Sequence, residues 1–203
     1  MTRPYQLKRR AQQQDETRQR IVEAAVRLHE TLGPAHTSIS AIAEQAGVER
    51  LTVYRHFPDE QGLFTACTNH YNAAHPLPEP ADWMRIADPE TRLSAALTEI
   101  YAYYQRTEQM QINAARDLPE LPAMQRVLEP YFAYWMRVRD GLAEGWGTQG
   151  RQNARLRAVL AHLLDFRTWY DFARQQPLSD DELVALMVQF VRCIVSTCES
   201  NTT

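Results

Sequence analysis

Apolar residues recur at every third or fourth position along most of this chain, a spacing typical of amphipathic helices. The first such stripe comprises Ile21, Ala25, Leu28 and Leu32. Asp15 and Glu16 stand where acidic side chains favour the start of a helix, and Gly33-Pro34 ends the pattern. No run of alternating apolar and polar residues predicts a β-strand. We therefore predict an all-α fold with about nine helices, of which the first begins near Asp15.

The same reasoning places the later helices and the breaks between them. Ser38 is suited to cap a short second helix that Gly47 ends, and a third short segment runs from Val48 through Phe57. Two strong helix starts follow, at Asp88-Pro89-Glu90 and at the capping box that begins with Ser179. The later helical segments are predicted at residues 60–74, 88–118, 131–144, 153–176 and 179–198.

Composition becomes informative when charge is followed along the chain. The chain has 203 residues, 44% hydrophobic and 23% charged, which is typical of a globular protein. Its net charge is −3, but residues 1–57 carry nine basic and six acidic side chains, so the remainder stands at −6. The basic end predicts an anionic partner. Three cysteines without a C-x-x-C pair, no signal peptide and no membrane-length apolar run predict a cytoplasmic protein with reduced thiols.

The three short helices within the first 57 residues have the outline of a helix-turn-helix. Such a unit needs small residues where its last two helices cross, and Ala43, Ala46 and Gly47 supply them. Apolar side chains must also hold the third helix down. The residues predicted to do so are Val48, Val53 and Phe57.

The stretch from Gly33 to Leu63, GPAHTSISAIAEQAGVERLTVYRHFPDEQGL, resembles the DNA-binding signature of the TetR/AcrR family of bacterial transcriptional regulators. The matching positions are Gly33, Thr37, Ile42, Ala43, Ala46, Gly47, Val48, Thr52, Tyr54, His56, Phe57, Pro58 and Leu63. The resemblance implies a flexible basic N-terminal arm over residues 1–14, a helix-turn-helix domain over 15–58 and a ligand-binding and dimerisation domain over 59–203. The arm, with Lys8-Arg9-Arg10, either reaches the minor groove or phosphates or is a solvated tail.

The resemblance further implies that the third helix reads DNA. Thr52 and Tyr54 are expected to contact the DNA backbone, Arg50 and His56 to contact base edges, and Leu51 to meet a thymine methyl or simply to pack. The alternative for all of them is a solvated helix face, and His56 could instead brace the fourth helix. The predicted DNA-binding residues are Ser38, Arg50, Leu51, Thr52, Tyr54 and His56.

Two glutamates depart from the family pattern. Glu49 stands where a small hydroxyl residue is common, and it could favour the helix N-terminus or accept a hydrogen bond from a cytosine amino group. Glu60 replaces a lysine that usually contacts the DNA backbone, so one phosphate contact is expected to be missing. Both are expected to distinguish this chain from its relatives.

The aromatic middle of the chain predicts a small-molecule pocket, because an apolar cavity with a few polar anchors suits such a ligand. A plain aromatic core is the alternative. The residues predicted to line the pocket are Tyr101, Tyr104, Asn113, Phe132, Trp135, Phe166 and Trp169. The apolar stripes of the last two helices are predicted to form a homodimer interface, which the family builds as a four-helix bundle. These stripes comprise Leu156, Val159, Leu160, Leu163 and Leu164, and Leu183, Leu186, Met187, Phe190, Val191, Ile194, Val195 and Cys198.

The sequence therefore predicts a homodimeric transcriptional repressor that binds a palindromic double-stranded DNA operator and responds to a small-molecule inducer or co-repressor. Two alternatives stay open: a helical ligand-binding protein or enzyme with a vestigial helix-turn-helix, and a scaffold whose terminal stripe binds a foreign helix. Cys67 and His70 have the spacing of a nucleophile dyad but lack an orienting acid. We predict no catalytic residues, no metal site, no cofactor and no membrane partner.

Overall fold

The computed structural model describes residues 3–196 of the chain, and within that range it is entirely helical. The α-helices are α1 (Arg3–Thr31), α2 (Ile39–Ala46), α3 (Arg50–His56), α4 (Glu60–Ala74), α5 (Pro80–Met84), α6 (Pro89–Asp117), α7 (Pro122–Val127), α8 (Glu129–Leu142), α9 (Gly150–Leu163), α10 (Phe166–Gln175) and α11 (Asp180–Ser196). Short 3₁₀ turns lie at Pro34–His36 and Leu118–Glu120. The all-α prediction is confirmed. None of the helices in the described range is long and apolar enough to cross a membrane.

The predicted start of the first helix is wrong, because α1 begins at Arg3 and not near Asp15. The segment before Asp15 has no apolar stripe, but its glutamines and arginines are good helix formers. The Gln12 amide also donates to the Glu16 carboxylate at 3.0 Å, one turn later. Helix propensity and local pairs thus extend the helix beyond the stripe that packs.

The predicted single helix over residues 153–176 is also wrong, because the segment forms α9 and α10. The break lies at Asp165, whose carboxylate accepts the Arg167 backbone N–H at 2.8 Å and caps the start of α10. The capping box before α11 is confirmed: Ser179 N–H donates to the Glu182 carboxylate at 2.8 Å, and Glu182 N–H donates to the Ser179 hydroxyl at 3.3 Å.

Contacts between residues divide the chain into two compact units, and each is described by itself. The first unit comprises the residues up to Pro76 together with Glu108–Glu129. Its core is made by the apolar faces of α1 to α4. The buried residues are Ile21, Val22, Ala24, Ala25, Val26, Ile42, Ala43, Ala46, Val53, Phe57, Leu63, Cys67 and Tyr71. Cys67 is inside this core, where burial raises the pKa of its thiol to about 12, so the thiol is not a nucleophile at neutral pH.

The second unit comprises Leu77–Thr107 and the residues from Pro130 onward. Its core combines aliphatic side chains of α6, α9 and α11 with aromatic side chains of α6, α8 and α10. The largest fully buried members are Trp169, Tyr101, Tyr104, Leu93, Leu97, Ile100, Leu142, Leu156, Leu160 and Leu183. Arg92 is also buried there, and its guanidinium donates to the carbonyl oxygens of Ile86 and Glu144. A charged group is thus held inside by backbone acceptors.

His29 is a buried titratable group in the first unit. It lies near the end of α1 with 6% of its surface exposed, and its ring packs against Phe64 at a centroid distance of 5.6 Å. Burial lowers its pKa from 6.5 to about 4, against an opposing attraction from Asp117. His29 is therefore neutral at pH 7.

We predict that the free energy of unfolding decreases as the pH is lowered from 6.5 to 4. In that range only the unfolded chain accepts a proton on His29. The effect of this one group should reach about 3 kcal/mol at the acid end. His29→Phe should remove that part of the pH slope, as measured by urea unfolding at pH 7, 5.5 and 4. His162→Gln, at an exposed histidine, is the matched control. Identical slopes in the wild type and His29→Phe would contradict the assignment.

Candidate nucleic-acid interface

The turn between α2 and α3 sets the geometry of the candidate interface. Gly47 ends α2 with φ at 65° and ψ at 43°, the left-handed conformation that glycine adopts without a Cβ penalty. The Val48 N–H then donates to the Ala43 carbonyl at 2.9 Å and closes the turn. Glu49 follows in an extended conformation, and α3 starts at Arg50. The predicted glycine turn is therefore present.

The inner side of α3 is held by apolar burial and by α1. Val53 and Phe57 are buried in the core of the first unit, as predicted. The Arg18 guanidinium lies 4.2 Å from the centroid of the Phe57 ring, a cation–π distance. The Arg20 guanidinium donates to the Ala46 carbonyl at 3.2 Å and so satisfies an acceptor at the end of α2. These contacts fix the position of α3 on its buried side.

The outer side of α3 carries most of the predicted DNA-binding residues. Leu51 is 70% exposed and Tyr54 is 46% exposed, values that leave both side chains accessible. Arg50 is exposed as well, with an extended segment before it. Thr52 and His56 are half-buried. α3 thus brings five of the six predicted residues together on seven consecutive positions.

Two of the candidates already make contacts within the chain. The Ser38 hydroxyl accepts the Ala41 backbone N–H at 3.1 Å and caps α2, as predicted. The Thr52 hydroxyl accepts a hydrogen bond from the Arg55 guanidinium at 3.1 Å. Both hydroxyls retain the capacity for a further hydrogen bond. Burial, with repulsion from Arg55 and Arg18, lowers the pKa of His56, so the imidazole is neutral at neutral pH.

Both unusual glutamates are exposed at helix starts. Glu49 occupies the N-cap position of α3, yet its side chain makes no capping hydrogen bond. Glu60 begins α4 directly after Asp59, whose carboxylate accepts the Gly62 N–H at 2.7 Å. Asp59 therefore does the capping, and Glu60 adds negative charge at a helix N-terminus.

Polar side chains near the end of α6 fasten the end of α1. The Asn113 amide donates to the carbonyls of His29, at 3.2 Å, and Glu30, at 2.7 Å. Asp117, which is buried, accepts the Ala35 N–H at 3.0 Å. A hydrogen bond from Arg116 lowers the pKa of Asp117, so the buried carboxylate stays charged. Sequence reasoning missed this attachment, because the partners lie more than 80 positions apart.

The attachment requires the backbone to come close to α6 at the end of α1. Gly33 has φ at 103°, and a Cβ there would overlap the side chains of Arg116 and Asp117. The Arg116 guanidinium also donates to the Leu32 carbonyl at 2.8 Å. Gly33 is one of the matched signature positions, and here it has both a conformational and a steric reason to be glycine.

Five of the seven residues predicted to line a pocket are close together in the second unit. Their rings are joined by contacts that centre on Tyr104, and they comprise Tyr101, Tyr104, Trp135, Phe166 and Trp169. Phe132 is 42% exposed and lies one ring further out, against Tyr131. Asn113 belongs to the first unit, where its amide is engaged with α1.

The helices predicted to form the homodimer interface are α9 and α11. Part of each stripe is core of the second unit, as with Leu160 and Val191. Phe190 on α11 is 41% exposed. Cys198, also assigned to this stripe, lies outside the described residues.

Comparisons with known proteins bear on the first unit most directly. Residues 21–67 match the family model for bacterial regulatory proteins of the tetR family. Over 54 residues the chain is 44% identical to the HTH-type transcriptional regulator AcrR of Shigella flexneri, covering 27% of this chain and 25% of that protein. Over 97 residues it is 32% identical to the HTH-type transcriptional repressor NicS of Pseudomonas putida, covering 48% and 46%.

The whole fold also has solved counterparts. The structure of NalD, the secondary repressor of the MexAB-OprM multidrug efflux pump in Pseudomonas aeruginosa, is similar over 90% of this chain and 96% of NalD, with a TM-score of 0.56 and 22% identity. Identity this low shows a shared fold alone. The chain matches less than half the length of AcrR and NicS. The residues that match the family model, 21–67, include α2, the Gly47 turn and α3.

We predict that Ser38→Ala lowers the free energy of unfolding by about 1 kcal/mol, because the Ala41 N–H loses its capping acceptor. Ser40→Ala, at an exposed position inside α2, is the matched control and should change it by less than about 0.5 kcal/mol. Urea unfolding followed by circular dichroism measures both. Equal effects of the two substitutions would show that the cap is not what stabilises α2.

Proposed function

This chain belongs, through residues 21–67, to the tetR family of bacterial regulatory proteins, and we propose that it is a homodimeric transcriptional repressor that binds a palindromic operator and is released by a small molecule. The observation that carries the proposal is the exposed face of α3, presented beside α2 by the Gly47 turn. In a helix-turn-helix the second helix enters the major groove with its first residues toward base edges.

Each exposed residue of α3 has a proposed role. Arg50 is at the start of the helix and donates to a guanine or to a phosphate, and Leu51 contacts a thymine methyl. Tyr54 and Thr52 bond the sugar-phosphate backbone, with Arg55 orienting the Thr52 hydroxyl. Ser38, His56 and the exposed Lys8, Arg9 and Arg10 on α1 complete the proposed DNA-binding surface.

The second unit is proposed to supply dimerisation and ligand response. A single helix-turn-helix holds one half-site weakly, and a twofold dimer binds two half-sites about one helical turn apart. We propose that the dimer interface lies on α9 and α11, where Phe190 is an exposed apolar side chain. The aromatic cluster around Tyr104 is the proposed ligand site. The protein so described would act in the cytoplasm, where its operator is.

The proposal is tested by DNA binding. Purified protein should bind a palindromic fragment from upstream of its own gene with two chains per site, as measured by fluorescence anisotropy and light scattering. The logarithm of the association constant should fall linearly with the logarithm of salt concentration, because binding releases counterions from phosphates. A folded dimer that binds no upstream fragment at low salt would contradict the proposal and favour a ligand-binding protein with a vestigial helix-turn-helix.

We predict that Arg50→Ala weakens binding to the cognate operator by about 1–3 kcal/mol and relaxes its sequence preference, because a base contact is lost. The matched control is Arg106→Ala, which removes an exposed arginine of the second unit. Its affinity for the operator should stay close to that of the wild type. If Arg50→Ala weakens cognate and unrelated DNA equally, Arg50 contacts phosphate and does not read a base.

A further inference from the structure

We propose that Arg126 of α7 binds a phosphate of the DNA backbone beside the start of α4, and thereby extends the DNA-binding surface beyond the helix-turn-helix. The inference rests on the proposed DNA-binding function and adds one contact to it. Its basis is an open groove next to the end of α3, in which a hydrogen bond holds the Arg126 guanidinium beside α4.

The groove lies within the first unit and is lined by residues of α1, of α7 and of the start of α4. Its volume is about 830 Å³. The least exposed of its lining residues are Ala66 and Ala123, whereas Arg18 and Arg126 are exposed. A ligand that approaches from solvent can therefore reach both guanidinium groups.

The groove adjoins the end of α3. The Arg18 guanidinium lies 4.2 Å from the centroid of the Phe57 ring, and Phe57 directly follows the last residue of α3. Only Phe57, Pro58 and Asp59 separate α3 from α4. An α-helix with its side chains is about as wide as the major groove, roughly 12 Å, so residues just beyond the end of a bound helix meet the sugar-phosphate strand at the edge of that groove. The start of α4 is such a position.

The charge of the groove depends on Arg126. Asp59 and Glu60 are acidic residues that line it, and Arg18 and Arg126 are the basic ones. Without Arg126 the carboxylates would outnumber the guanidinium groups, and the groove would repel a phosphate. With Arg126 the two signs balance, so a phosphate can gain a charged partner at the position where Glu60 predicts a missing contact.

A hydrogen bond positions Arg126 without using up its donors. The Arg126 Nε donates to the side-chain oxygen of Gln61, the second residue of α4, at 3.2 Å. Among the residues that the structure describes, Arg126 has no carboxylate partner, unlike Arg157, which pairs with Asp140. Both terminal nitrogens of its guanidinium therefore keep their N–H donors, the arrangement that binds a phosphate with two hydrogen bonds.

The test measures binding of a fluorescein-labelled duplex of unrelated sequence by fluorescence anisotropy, over a series of salt concentrations. No operator is needed, because a phosphate contact does not depend on base sequence. Arg126→Ala should weaken binding about tenfold at low salt, the effect of one hydrogen-bonded charge. It should also reduce the slope of the logarithm of the association constant against the logarithm of salt concentration by about 0.9 for each bound chain.

Two variants serve as controls. Arg126→Lys keeps the positive charge and should keep the wild-type slope, as should Arg106→Ala, at an exposed arginine of the second unit. Urea unfolding should give the same midpoint for Arg126→Ala and the wild type, because the side chain of Arg126 is exposed. A lower affinity with an unchanged slope would show that Arg126 does not bind a phosphate, and would overturn the inference.

Gln61→Ala tests how Arg126 is positioned. It should weaken binding in the wild-type background, because the guanidinium loses the hydrogen bond that holds it beside α4, and it should have no further effect in Arg126→Ala. Equal effects in both backgrounds would contradict this positioning.

The experiment separates the failure of this inference from that of the proposed function. A wild-type protein that binds no duplex at low salt contradicts the proposed function and this inference with it. A wild-type protein that binds the duplex with the same slope as Arg126→Ala contradicts this inference alone.

Discussion

The left-handed turn at Gly47 is the constraint on which the candidate interface depends. A residue with a Cβ would resist that conformation, and without it the Val48 N–H could not return to the Ala43 carbonyl. The turn sets the angle between α2 and α3, so it decides which side of α3 meets the core. Val53 goes inward and is fully buried, and Leu51 is left outward. The exposed face proposed to read DNA is thus a consequence of one backbone conformation and one buried stripe.

A second constraint acts on the same unit from a distant part of the chain. A helix end leaves carbonyl groups without partners, and Asn113 and Arg116 supply donors to those at the end of α1. The buried Asp117 carboxylate then holds the Ala35 N–H in the turn that leads to α2. His29 lies beside this attachment and is neutral, so the buried negative charge of Asp117 is balanced by Arg116. These hydrogen bonds fix the position of α1 along its axis, which apolar packing alone does not specify.

The second unit is organised differently, by aromatic packing around Tyr104. Backbone carbonyls at the end of α9 accept hydrogen bonds from the hydroxyls of Tyr101 and Tyr104. These hydrogen bonds satisfy polar groups whose burial would otherwise cost free energy. Among the residues that the structure describes, the indole N–H groups of Trp135 and Trp169 have no acceptor.

The sequence by itself determined the features of this protein that depend on neighbouring residues. The caps at Ser38 and Ser179, the turn at Gly47 and the bounds of α4 depend on residues within one helical turn, so a single sequence shows them. Sequence reasoning erred where local preferences compete, as at the start of α1 and at the Asp165 break. Only the tertiary structure decided the use of Asn113, whose acceptors lie more than 80 positions away. It also decided which indole N–H groups find an acceptor within residues 3–196, because hydrogen-bond satisfaction depends on the whole surrounding fold and not on neighbours in sequence.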